Sequence, residues 1–140
     1  SRYDHPFQWG SKRTGPDLAF EGGRQSNDWH WGHLMNPDEL VPGSNMPPYA
    51  WMAAQQLDLS RVDDKMRAMR AVGVPYTPMQ IASAQRDAEA DADAIVKTLR
   101  TKYPSITGRP EPVALIAFLQ RLGRAPAPTS PAVAQAGANP

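Results

Sequence analysis

The chain has no cysteine. Disulfides, thiolate metal sites and cysteine nucleophiles are therefore excluded within these residues. Long apolar runs are also missing. The longest, Val113 to Leu119, falls far short of the ~20 residues that a membrane-spanning helix needs. The opening Ser1-Arg2-Tyr3-Asp4 has neither the basic start nor the apolar stretch of a signal peptide. Charge of one sign is scarce: 15 Lys and Arg against 14 Asp and Glu leave a net +1. With no Lys/Arg cluster and no phosphate-gripping Gly-rich loop, nucleic-acid binding is not indicated. Gly-x-Ser-x-Gly, His-Glu-x-x-His and an isolated carboxylate pair are all absent, which argues against a stand-alone enzyme.

What the chain does have is proline, 15 residues, and glycine, 10 residues, so much of it should be loop or extended segment. The 140 residues, 41% hydrophobic, suit one domain with a modest core. Residues 1 to 51 are irregular and aromatic-rich, holding all four tryptophans (Trp9, Trp29, Trp31, Trp51) and all three histidines (His5, His30, His33). Between Ser26 and Met35 a short helix is expected, with Ser26 as N-cap and Pro37 as its stop. From Pro37 to Pro48 the prolines and Gly43 leave no room for a regular element.

Ser60 opens a second helix with Asp63 completing a capping-box-like start, and Gly73 ends it. Its Val62, Met66, Met69 and Val72 define one apolar face. The longest helix starts at Thr77, with Pro78 in its first turn and Gln80 completing a capping box. Its stripe is Ile81, Ala84, Ala88, Ala92, Ile95 and Leu99, and Tyr103-Pro104 should close it. The acidic run Asp87, Glu89, Asp91, Asp93 reads as a solvated helix face. A last helix covers about Glu111 to Leu122, where Val113, Ile116, Leu119 and Leu122 form one side and Gly123 follows. The fold class expected is all-α with long irregular loops: one domain over 1–124, then a disordered Pro/Ala-rich tail over 125–140.

Met46 is the first candidate for chemistry. Prolines on both sides stiffen its backbone, and a thioether is a soft, neutral donor that suits iron in a low-polarity pocket. The plain alternative is a core-filling methionine. In Thr14-Gly15-Pro16-Asp17-Leu18, the Pro16 carbonyl can accept a bond from a ligating imidazole, or the stretch is an ordinary turn. Arg13, Arg24, Trp9 and Trp29 suit carboxylates, or are surface arginines and core tryptophans. His30 and His33 share a helix face. A zinc or copper site there needs a further ligand, with His5 and Met46 available, and the plain reading is two exposed or hydrogen-bonded histidines.

Taken together, these motifs resemble a class I cytochrome c beyond its haem-attachment site. Thr14-Gly15-Pro16-Asp17-Leu18 resembles the Thr-Gly-Pro-Asn-Leu stretch of that family. Asn36-Pro37 followed by Val41-Pro42-Gly43-Ser44-Asn45-Met46 resembles the segment with the distal iron ligand, and Leu115 to Leu122 resembles the C-terminal helix. A narrower resemblance is to subunit II of cbb3-type cytochrome c oxidases. It rests on Tyr3 to Leu18, Gly22-Gly23-Arg24, Trp29-His30, His33-Leu34 and Ser44-Asn45-Met46-Pro47. The match is specific over 3–51 and 111–123 and looser between.

That resemblance implies an electron-transfer subunit using a Met/His-ligated haem c. Met46 is then the distal ligand, the Pro16 carbonyl supports the proximal histidine, and Arg13, Arg24 and Trp29 lie at the propionates. The partners implied are the catalytic and other cytochrome subunits of the oxidase and a soluble donor cytochrome, on the periplasmic side of the bacterial inner membrane. The resemblance also implies an N-terminal membrane anchor and an upstream Cys-x-x-Cys-His, neither of which lies within these residues. The domain is accordingly expected to be incomplete on its N-terminal side, marginally folded, and without a partner for the Val113/Ile116/Leu119/Leu122 face. Two other readings stay open: a haem-free assembly domain of the oxidase, and a metal-binding module of His30, His33 and Met46.

Overall fold

Caps and breakers divide the chain into helices joined by ordered turns. A computed structural model describes residues 17–124. Among them the elements are α1 (Asn27–Met35), α2 (Pro37–Leu40), a 3-10 turn (Ala50–Ala54), α3 (Val62–Ala71), α4 (Pro78–Arg100) and α5 (Pro112–Arg121). The only strand-like pairing among these residues is a single antiparallel bridge between Gln56 and Pro110, so the fold is all-α as expected. Contacts divide the chain into two units. One is Gln25–Phe118, and the other, within the described residues, comprises 17–24 and 119–124.

α1 starts where its cap predicts: the Ser26 side chain accepts a bond from the Trp29 amide at 3.2 Å. Its buried residues are His30, Trp31 and Leu34. α2 is a departure from the sequence reading. Proline was expected to forbid any element here, yet Pro37 occupies the first position of a single helical turn. There its missing N–H is no loss and its fixed φ suits the helix.

α4 begins with the capping box in full. The Thr77 amide donates to the Gln80 side chain at 2.8 Å, and the Gln80 amide donates to Thr77 Oγ1 at 3.2 Å. Of its predicted stripe, Ile81, Ala84, Ala92 and Leu99 are buried, and Val96 joins them. The helix ends at Arg100, three residues short of Tyr103, and the Tyr103 amide still returns to the Leu99 carbonyl at 2.8 Å.

α3 departs twice. Ser60 does not cap it: its amide and hydroxyl both donate to Asp58 Oδ1, at 2.9 and 2.7 Å. Asp63, expected in the capping box, pairs with Arg67 at 2.9 Å. The apolar face predicted on α3 is also not buried, and no residue of the helix is. Its C-terminal end does close as expected. Gly73 (φ +101°) donates to the Arg70 carbonyl and Val74 to that of Met69, both at 3.1 Å, the paired bonds of a Schellman motif.

The core lies wholly in the larger unit. Trp31 and Leu34 of α1, Ala92, Val96 and Leu99 of α4, Ile106, and Val113 and Ile116 of α5 form one buried cluster. Leu99, Val113 and Ile116 are completely inaccessible to solvent. This corrects the expectation for α5: Val113 and Ile116 find their partners on α1 and α4 within this chain. Phe118, on the same helix, remains 60% exposed. In the smaller unit the Gly22 amide donates to the Leu122 carbonyl at 2.9 Å and Gly23 to Gln120 Oε1 at 3.0 Å.

Candidate functional site

The loop between α2 and the 3-10 turn carries Met46, and its backbone is tied down bond by bond. The Gly43 amide donates to Asp38 Oδ1 at 2.8 Å, and Ser44 donates to the Val41 carbonyl at 3.0 Å. Next, the Met46 amide donates to Ser44 Oγ at 3.2 Å. The Tyr49 amide donates to the Leu34 carbonyl at 2.7 Å, which anchors the end of the loop to the last turn of α1. Pro42, Pro47 and Pro48 have no amide to satisfy. Gly43 supplies the left-handed step (φ +79°) that turns the chain back.

This bracing holds Met46 half-buried against the core cluster, among partly buried Met35, Tyr49 and Ala53. All members of the cluster are apolar or aromatic. A thioether in such surroundings is a neutral, soft donor with little competition from water. Leu40, Val41 and Trp51, on either side of the loop, expose much of their apolar surface. The bracing residues were not singled out from the sequence. An acceptor at Asp38 five residues before Gly43, with Ser44 two before Met46, is the pattern that could have found them.

Trp29 lies on α1 in the same unit. Its ring stacks on His33 with centroids 4.7 Å apart and planes 18° from parallel, and meets His30 edge-on at 5.5 Å. His30 is buried, at 4% exposure, and His33 is half-buried, so of the plain reading of exposed or hydrogen-bonded histidines the exposed alternative does not hold. Nδ1 of His33 is inaccessible and has no hydrogen-bond partner. Among the described residues no group of three His, Cys, Asp or Glu side chains is placed to hold a metal ion. Arg24 belongs to the smaller unit, where its guanidinium stands 3.9 Å from the buried Glu21 carboxylate. Arg13 and Pro16 lie outside the described residues, as do His5, Trp9 and the tail from 125 to 140.

The acidic run of α4 has a structural task. Asp93 takes both ends of the Arg109 guanidinium, at 2.7 and 2.8 Å, and Glu89 stands 3.5 Å from it. The Arg109 hydrogen bond, reinforced by its charge, holds the Asp93 carboxyl below its ordinary value. Nearby, Gln56 Oε1 accepts from the Arg109 amide at 2.9 Å and the Leu57 amide donates to the Arg109 carbonyl at 2.8 Å. These bonds fasten the segment after the 3-10 turn to the approach to α5. They have no part in the Met46 loop.

A helical domain with a proline-braced methionine loop packed on its core is a small all-α, cytochrome c-like protein. The family model "Cytochrome C oxidase, mono-heme subunit/FixO" matches residues 1–125, and the chain belongs to that family. Comparison with curated proteins gives no match. Family membership brings association with other oxidase subunits and a haem cofactor. The residues present fit such a group at one position: Met46 offers the soft donor, and the apolar cluster behind it offers the low-polarity wall. Among the described residues no helix is long and apolar enough to cross a membrane.

Proposed function

We propose that this chain relays electrons towards the oxygen-reducing subunit of a cbb3-type oxidase, with Met46 as the distal ligand of a haem c. The observation that carries the reading is the placement of Met46: half-buried against an apolar core, on a loop whose amides are committed to Asp38, Val41, Ser44 and Leu34. Bound haem supplies the one-electron exchange at its iron; Met/His ligation raises its reduction potential. The rest is done by the chain. Met46 presents a neutral donor, Tyr49 and the core cluster limit water behind it, and the Asp38–Gly43 bond fixes the turn that aims the loop.

Pro16 is assigned to support the proximal histidine. Arg13, Arg24 and Trp29 are assigned to the propionates, by hydrogen bonds from guanidinium and indole N–H groups. For Arg24 that role competes with Glu21. The proximal histidine and the attachment cysteines are assigned to a segment outside these residues. The electron donor is a soluble cytochrome or another haem subunit, and the site of action is the periplasmic face of the inner membrane.

The test is Met46→His in the complete subunit within the assembled oxidase. A second imidazole in place of the thioether should lower the haem reduction potential and alter the optical spectrum. Unchanged potential and spectrum would remove Met46 from the iron.

A further inference from the structure

The join between α3 and α4 exposes apolar surface that the rest of the larger unit leaves uncovered. Met69 is 49% exposed, Val72 78% and Met79 81%. All three lie in the short stretch that ends α3 and begins α4. Both sides of this stretch are held in shape: the Schellman bonds of Gly73 and Val74 close α3, and the Thr77–Gln80 box starts α4. Exposed apolar side chains on a fixed backbone are pre-organised for contact, because little further ordering is needed on docking.

The charges around the patch are unequal. Asp63 and Asp64 share Arg67, at 2.9 and 2.8 Å, and Arg61 stands 3.8 Å from Asp64, so these two carboxylates are balanced by two guanidiniums. Lys65 and Arg70 are exposed and form no ion pair among the described residues. On a helix, Lys65 neighbours Met69 and Arg70 neighbours Met66, so the two cations border the methionine strip. Asp58 is attracted to Lys65 as well as to Arg61, so four basic groups (Arg61, Lys65, Arg67, Arg70) face three carboxylates (Asp58, Asp63, Asp64) and the balance at the patch is positive by one.

We infer that this end of the α3–α4 pair docks on an apolar, carboxylate-bearing surface of another subunit of the oxidase. Three observations select that occupant. The chain is a subunit of a multi-subunit enzyme by family. The net positive charge, with Arg70 in no ion pair among the described residues, calls for carboxylates opposite it. The exposed apolar part is methionine and valine; between Arg61 and Gln80 there is no Trp, Phe or Leu, and the single aromatic residue, Tyr76, is half-buried. A protein partner suits such adaptable side chains, whereas a lipid interface favours aromatic and leucine anchors among many basic residues.

The test uses the complete subunit in the assembled oxidase. Val72→Asp with Met79→Asp changes two exposed positions, so the subunit's helical circular dichroism and unfolding midpoint should hold. Its retention by the other subunits, read by affinity purification through a tag on the catalytic subunit, should fall at least about tenfold. Lys65→Glu with Arg70→Glu should weaken retention in the same direction and reduce its dependence on salt. The charge-reversal pair keeps the test decisive if the aspartate pair does not fold. Wild-type retention in both variants would overturn the inference. So would unchanged retention accompanied by lost co-sedimentation with phosphatidylglycerol vesicles, which would assign the patch to lipid.

Discussion

Replacing Gly43 by alanine probes the Met46 loop with few side effects, because a Cβ at Gly43 meets nothing within 4 Å. No contact is gained or lost, and the cost is that of holding a side-chain-bearing residue at φ +79°. For an L-residue in the left-handed region that is about 1–2 kcal/mol. It corresponds to roughly a 5- to 30-fold change in an opening equilibrium. The loop is pinned to α1 through the Tyr49 amide, so hydrogen exchange at that amide reads the opening. Its exchange should accelerate by about that 5- to 30-fold factor.

Gly73→Ala is the matched control. Its φ is +101° and its Cβ also meets nothing within 4 Å, but it lies at the end of α3. That variant should accelerate the Val74 amide, which is bonded to Met69, and leave Tyr49 unchanged where Tyr49 exchanges by local opening. Gly43→Asn should cost less than alanine, since asparagine tolerates this region best among side-chain-bearing residues. If Tyr49 is indifferent to Gly43→Ala, or responds equally to both alanines, the loop is not held as described.

Two further outcomes concern the core and pH. Leu99→Ala removes a side chain with no solvent exposure from the centre of the cluster and should cost about 2–5 kcal/mol by urea denaturation. A loss below about 1 kcal/mol would show that the cluster does not pack around Leu99. Asp28, held by Ser26 and then Lys102, and Asp93, held by Arg109, both ionise below their ordinary 3.8. A carboxyl depressed on folding adds stability above its unfolded value, and that stability is lost as pH falls through the folded value. Urea midpoints should therefore decline as pH drops below about 4, and Asp93→Asn should flatten that decline. An unaltered slope in Asp93→Asn would mean that the Arg109 pair does not survive in solution.

Much of the fold was legible because its signals are local. Ser26, Thr77, Pro78, Gln80 and Gly73 act on backbone groups within a few residues of themselves, and each does what its type and spacing predict. Ser60 misled because its amide and hydroxyl both turn to Asp58, two residues before, instead of to the first turn of α3. Met46 was legible as a motif. The residue types around it carry the resemblance, whatever the loop's exact path.

The sequence by itself determined the Ser26 cap of α1, the Gly73 end of α3 and the Thr77–Gln80 start of α4, which side of each helix is apolar, and that Met46 is the candidate donor. Tertiary structure alone decided which apolar sides are covered. Periodicity marks the α3 face and the α5 face alike, yet Val113 and Ile116 meet α1 and α4 while Met69 and Val72 meet solvent. It also decided the partners of Gln56 and Arg109. Those bonds depend on where distant segments arrive, and arrival is set by the packing of the whole core, which no local spacing encodes.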